Sequence, residues 1–256
     1  GTAQLGQQSR QMAVLAAEHA LESAAVAVEK AFDRQMLQCD GALASFPMLF
    51  DIAQISPNQS ESAGRLLRGL SFQTMAFRDL LLVGQDGTII ASTRPTGSRR
   101  VLPREIAMPG RAPTKLIGPL RNTITGDWSL YVARTISGWN GIVPVAEIPL
   151  ATLMNLLAET GVASGTRIFL ERANGQIVAA WPYDETMIGK PRLSARPEPL
   201  RNGEAFAQES KSGGTNLKVV RTTFYGDIQV VLTTNSTTFL DDWRIDRDRT
   251  ILATAI

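Results

Sequence analysis

The chain has one cysteine and one histidine in 256 residues. A lone Cys39 excludes an intrachain disulfide, and one thiol on an apolar helical face reads as a small buried hydrophobe. His19 has no second histidine with which to share a metal or a proton, so it reads as a helix-surface residue and no metal is expected. No run of ~20 apolar residues is present, so no segment of this chain reads as a membrane span. An excess of one charge is also missing. The 26 basic and 24 acidic residues leave a net charge of +2, which argues against nucleic acid as a partner. Arg99, Arg100 and the arginines up to Arg121 form a mild local excess that reads as solvated loop.

Catalytic signatures are absent as well. There is no Ser-centred glycine elbow, HExxH, phosphate loop or dinucleotide fingerprint. Asp241, Asp242, Asp246 and Asp248 alternate with Arg244, Arg247 and Arg249 as helical ion pairs rather than as a paired-carboxylate site. This region therefore reads as no enzyme, with no cofactor.

What the chain does have is an echo. Leu81–Ala91 and Phe169–Ala179, 88 positions apart, are each an apolar run, an Asp-Gly or Asn-Gly pair and a second apolar run. Such a pair predicts a β-hairpin with a type I′ turn, in which both central residues take positive φ. The echo continues, because Gly141–Ala146 precedes Leu153 at nearly the spacing by which Asp227–Leu232 precedes Phe239. The apolar fraction of 44% suffices for two cores in a chain of this length. The same small α+β module, used twice, is the simplest reading.

Before the first module, no proline occurs until Pro47. Val14, Leu21, Ala25, Val28, Phe32, Met36, Cys39, Leu43, Phe46 and Phe50 recur at steps of mostly three and four, one stripe along a long helix. That helix is either the spine of both modules or a stalk that pairs with a second copy. A short helix over 62–73 follows. The first hairpin leads into a proline-rich loop, Arg94–Pro113, with one helical turn at Arg104–Ala107. Strands are expected over Lys115–Leu120, Trp128–Ile136 and Ile142–Ile148, then a helix over Leu150–Glu159. The second module runs through the Arg167–Trp181 hairpin and strands over Ala205–Glu209, Leu217–Thr223 and Ile228–Thr234. An exit helix starts after Asn235 or Ser236 as N-cap. The divisions are 1–56, 57–160, 161–235 and 236–256. The fold class is α+β, with two antiparallel five-stranded sheets on a common N-terminal helix.

This order of long helix, two half-sized sheet modules and exit helix resembles the double Cache, or tandem PAS-like, extracellular sensor domain of bacterial transmembrane receptors. Leu81–Thr93 looks like that family's first hairpin. Ile117–Leu120 and Thr125–Arg134 look like its next two strands, and Ile188-Gly189-Lys190 like the short glycine motif of its second module. The resemblance implies a periplasmic, ligand-sensing portion of an inner-membrane receptor. The output would be a histidine kinase, a diguanylate cyclase or a chemoreceptor domain. A homodimer through the N-terminal helix is the expectation if that helix is the stalk rather than the spine. In amino-acid-binding members an acidic residue on the last strand of the distal module contacts the ligand amine, and Glu147 resembles it. The tyrosine–arginine motif that holds the ligand carboxylate in those members is not evident here.

A pocket in the first module would lie between its sheet and Arg94–Pro113. Arg94, Arg121 and Arg134 could hold a carboxylate, Trp128 and Tyr131 could form walls, and Glu147 could take an amine, with Arg134 as its counter-charge when the pocket is empty. Each has a structural alternative: sheet aromatics for the first pair, solvated or paired side chains for the arginines. Strand alternation puts Trp128, Leu130, Val132 and Arg134 on one face and Ser129, Tyr131, Ala133 and Thr135 on the other, without saying which faces the pocket. The expected ligand is small and polar, a carboxylate or an amine. The second module is expected to transmit or to bind nothing, with Trp181 and Tyr183 structural.

Overall fold

The structure, a computed structural model, describes residues 1–70, 79–94, 100–193, 201–211, 213–237, 248–249 and 251–254. The long helix forms as two pieces, α1 (Thr2–Ala44) and α2 (Phe46–Ala53). One uninterrupted helix to Phe50 was the expectation. The break at Ser45 has a local cause, since Pro47 lacks an N–H and occupies the first turn of α2, and the Ser45 hydroxyl donates to the Ala42 carbonyl at 2.6 Å. From Leu21 onward the predicted stripe is buried at every position, and Val14 is half-buried. Burial pushes the Cys39 thiol up to about 12, with the charge of Asp40 adding to it.

The chain divides into two compact units: Phe32–Leu153, and Gly1–Ala31 together with Met154–Ile256. The first holds α3 (Ser60–Gly69), which packs against β2, and the strands β1 (Asp79–Val83), β2 (Ile89–Ser92), β3 (Thr114–Arg121), β4 (Trp128–Arg134) and β5 (Val143–Pro149). Their order is β2-β1-β5-β4-β3, all neighbours antiparallel. The helix α4 (Leu150–Ala158) follows. The second unit repeats the plan with β6 (Arg167–Arg172), β7 (Ile177–Trp181), β8 (Phe206–Glu209), β9 (Thr215–Thr222) and β10 (Ile228–Asn235), in the order β7-β6-β10-β9-β8. Two antiparallel five-stranded sheets of identical topology are what the hairpin echo predicted.

Both faces of the first sheet's central strands are buried, which is why β1 and β5 read as nearly unbroken apolar runs. One face meets α1, where Asp40 accepts from Arg134 at 2.8 Å and from the Thr114 hydroxyl at 2.5 Å. The opposite face gathers Leu81, Val83, Ala133, Val143 and Val145 under the loop residues Leu102, Ile106 and Ala107. In the second unit α1 is tied in the same manner, through Arg221 to Glu29 at 3.1 Å.

The hairpin turns differ from type I′ in one respect. Gly87 (φ +86) and Gly175 (φ +93) are left-handed, but Asp86 and Asn174 are not. Each turn is closed by a glycine N–H, from Gly87 to the Gly84 carbonyl and from Gly175 to that of Arg172, and each is followed by a bulge. A type I turn with a left-handed glycine achieves the reversal with one positive φ instead of two. Most of the span expected to form the exit helix, 236–256, lies outside the described residues. Its start is visible, with the Asn235 side chain capping the Thr237 N–H at 2.9 Å. Among the described residues no helix is long and apolar enough to cross a membrane.

Candidate functional site

The first module's turn does more than reverse the chain. With no side chain, Gly87 lets the next segment cross directly over it, and its carbonyl accepts from the Leu102 N–H at 2.9 Å. A Cβ at Gly87 would lie 1.9 Å from the Leu102 carbonyl oxygen. This contact brings residues 100–102 onto the sheet and delivers Arg100 to its inner face.

There Arg100 meets a polar row. Register pairs Asp79 on β1 with Glu147 on β5, and Glu147 with Tyr131 on β4. The three side chains stand on one face, across three neighbouring strands. Tyr131 donates to Glu147 Oε2 at 2.5 Å. Arg100 Nη1 donates to the same oxygen at 3.1 Å and to the Tyr131 hydroxyl at 2.6 Å. Asn122 Nδ2 reaches both carboxylate oxygens, at 3.3 and 3.1 Å. Asn122 is aimed by its own turn, its Oδ1 accepting from the N–H groups of Ile124 and Thr125. Beside them, Asp79 accepts from the Ser92 hydroxyl at 2.7 and 2.8 Å and from the Thr93 N–H at 3.1 Å. Exposures run from 0% for Glu147 and Tyr131 to 8% for Arg100.

Burying two carboxylates beside one guanidinium has clear electrostatic consequences. Burial raises the Asp79 carboxyl above its ordinary value; donation from Thr93 and Ser92 offsets only part of this, and the charge of Glu147 adds to it. Burial likewise raises the Tyr131 hydroxyl, reinforced by Glu147, so Tyr131 stays a protonated donor. Two buried polar atoms on this face lack a hydrogen-bond partner among the described residues: Arg100 Nε and Ser129 Oγ. An orphaned buried donor is costly, and native sites that keep one have a reason for it.

Tyr131 and Glu147, singled out in the sequence, meet in this cluster. The counter-charge expected from Arg134 comes instead from Arg100. Strand alternation turns Arg134 to the helix face, where it pairs with Asp40. Trp128 shares the alternation of Arg134 and is half-buried. Arg121 is exposed, its Nε donating to the Gly126 carbonyl at 3.2 Å, and Arg94 is exposed just beyond β2. Arg100, read as a solvated loop residue, is buried. Asn122 and Asp79 were not singled out. Asp79 carries the signal that drew attention to Glu147, an acid at the end of an apolar strand.

No protein-family model and no curated protein matches the chain. Solved structures do match it. The extracellular domain of a protein described as a histidine kinase, rpHK1S-Z16, superposes with a TM-score of 0.60 at 18% identity, covering 94% of this chain and 98% of that one. The sensory domain of the Campylobacter jejuni chemoreceptor Tlp3, with isoleucine bound, gives 0.60 at 12% identity over 90% and 97%. The ligand-binding domain of the Pseudomonas aeruginosa chemoreceptor PctB, in complex with L-Arg, gives 0.59 at 18% over 86% and 94%. At such identities the likeness is one of fold. The chain has the tandem-module fold of these extracellular sensor domains.

Proposed function

We propose that this chain is the periplasmic ligand-sensing portion of an inner-membrane receptor, and that its first module binds a small amine-bearing molecule, an amino acid foremost. The observation that carries this reading is the buried row of Asp79, Glu147 and Tyr131 closed by Arg100. A row of apolar side chains would give the sheet equal or greater stability, so structure alone does not account for two buried acids. Their chemistry suits an ammonium group. In the empty site Arg100 neutralises Glu147; a ligand ammonium would take over that role. The Arg100 guanidinium, with Nε already unpaired, would then be free to hold a carboxylate. Solved domains of the same fold carry isoleucine and L-Arg.

Transmission would follow from population shift, since a ligand that favours one arrangement of the sheet favours one position of the helices tied to it. Asp40, bonded to both β3 and β4, is such a tie. On this reading the first module is membrane-distal and the second proximal, and the output is a kinase, cyclase or chemoreceptor domain. Homodimerisation through α1 is part of the proposal. Leu5, Met12 and Leu15 are exposed apolar residues at heptad-like spacing.

The experiment is calorimetry of the isolated domain against the twenty common amino acids. Replacing Glu147 with Gln or Asp79 with Asn should weaken any ligand by about 2–5 kcal/mol. A ligand bound equally well by wild type and both variants would remove this row from the site. The second reading is a dimerising domain that binds nothing. It predicts silence across the panel, together with stability gained when Glu147 and Arg100 are replaced by apolar residues.

A further inference from the structure

The two sheets share one topology, so their positions correspond through the strand register. Leu81 pairs with Val145 as Phe169 pairs with Val231. Two residues along, Asp79 and Glu147 correspond to Arg167 and Thr233. Glu147 pairs with Tyr131, and Thr233 with Lys218. The acidic row of the first module is therefore a basic row in the second.

What lies over the row also differs. In the first module the segment crossing the hairpin glycine places Leu102 on the sheet. Its counterpart, crossing Gly175 with an N–H to that carbonyl at 2.8 Å, is Arg192. Arg192 lies along the edge and pairs with the buried Glu171 at 3.2 Å. The apolar floor of Phe169, Ile177 and Val231 then faces a cavity of about 740 Å³. That volume is in the range of small-molecule sites. Four basic side chains line it, Arg167, Arg192, Lys211 and Lys218, against two acids, Glu171 and Glu209. Asp184 lies near Arg167 but outside the lining.

We infer that the second module holds a separate site for a small organic anion, its carboxylate on Arg167 and Lys218 and its apolar part on Phe169, Ile177 and Val231. The Arg167 guanidinium already stands 5.1 Å from the Phe169 ring centroid, at the junction of charge and floor. The site is independent of the proposed amine site, in residues and in charge.

The test is calorimetry with propionate, succinate and benzoate on the wild-type domain, on Arg167→Glu/Lys218→Glu and on Glu147→Gln. At least one of the three acids should bind with a one-to-one stoichiometry. Its affinity should fall at least tenfold in the double variant, stay unchanged in Glu147→Gln and weaken with added sodium chloride. The neutral pair Arg167→Gln/Lys218→Gln carries the same expectation if charge reversal prevents folding. No binding by any of the three acids, or binding that survives the loss of both cations, overturns the proposal. A changed affinity in Glu147→Gln overturns it too: a gain would place the anion on Arg100, released from Glu147 in the first module, and a loss would tie the binding to Glu147 itself.

Discussion

Tyr131 and Glu147 face each other across β4 and β5, with the Tyr131 hydroxyl 2.5 Å from Glu147 Oε2 and neither side chain exposed to solvent. This contact links the only acid on an otherwise apolar strand to the ring at the centre of the neighbouring strand. Arg100 completes the triangle, since one of its nitrogens reaches both partners.

Removing the hydroxyl tests the triangle. Tyr131→Phe keeps the ring and takes one donor from a buried carboxylate, which should cost roughly 1.5–3 kcal/mol of stability. Glu147→Ala should cost more, about 3–5 kcal/mol, because it leaves Arg100 buried without its partner. Urea unfolding of both variants checks the order. If Tyr131→Phe were the more damaging, ring packing rather than the hydrogen bond would be at stake.

Asp79 adds a pH dependence of known sign. Its carboxyl is raised, chiefly by burial, so the folded chain holds this proton more tightly than the unfolded chain does. The stability it contributes is full below the ordinary value of 3.8 and is lost as pH rises through the higher folded value. Asp79→Asn cannot ionise and escapes that loss. Wild type should therefore weaken relative to Asp79→Asn as pH rises above the ordinary carboxyl value of 3.8, as read from urea midpoints. A gap that stays constant, or moves the other way, would mean that Asp79 ionises in the fold without penalty.

The fold was largely legible, and the site only in part. Turn glycines, a 3.6-residue stripe and apolar runs of strand length are local signals, and they placed the strands of two antiparallel five-stranded sheets within a residue or two at most strand ends; the strand order, set by non-local pairing, was not among them. Glu147 and Tyr131 were legible as polar atoms inside apolar strands. Arg100 was not, because nothing around it in sequence marks burial; its position follows from the Leu102 contact with Gly87, a meeting of two loops. Asn122 is buried by the shape of its own turn. Arg134 was misassigned because alternation says which residues share a face but not which face meets the helix.

Arg134 now carries a different expectation. Its partner Asp40 belongs to α1, and both side chains are partly exposed, at 27% and 19%. Arg134→Ala should cost about 1 kcal/mol or less and leave first-module ligand affinity unchanged. A large loss of affinity in calorimetry would return Arg134 to the site, either directly or through the helix.

Phe32 is the first residue of the Phe32–Leu153 unit and is completely buried. Phe32→Ala should cost roughly 3–5 kcal/mol. Thermal melting would show this as a clear drop in Tm. An unchanged Tm would mean that the helical stripe is not sealed at this position.

The two turn glycines offer a matched pair. Both have positive φ, so replacing either with Ala imposes a left-handed backbone on a residue with a Cβ, at a cost of roughly 1–2 kcal/mol. They differ in what the new methyl meets. At Gly175 the nearest atoms belong to the Arg192 side chain, at 3.0 Å, which can swing aside. At Gly87 the nearest atom is the Leu102 carbonyl oxygen, at 1.9 Å, and backbone must move. Moving it carries Arg100 away from Glu147 and Tyr131. Gly175→Ala should therefore lose stability and leave ligand binding in the first module intact. Gly87→Ala should lose more stability and, with it, the affinity of whatever the Glu147 row binds. Melting curves and calorimetry on the two variants separate these effects. Equal behaviour of the pair would show that the crossing of residues 100–102 over the hairpin does not hold Arg100 in place.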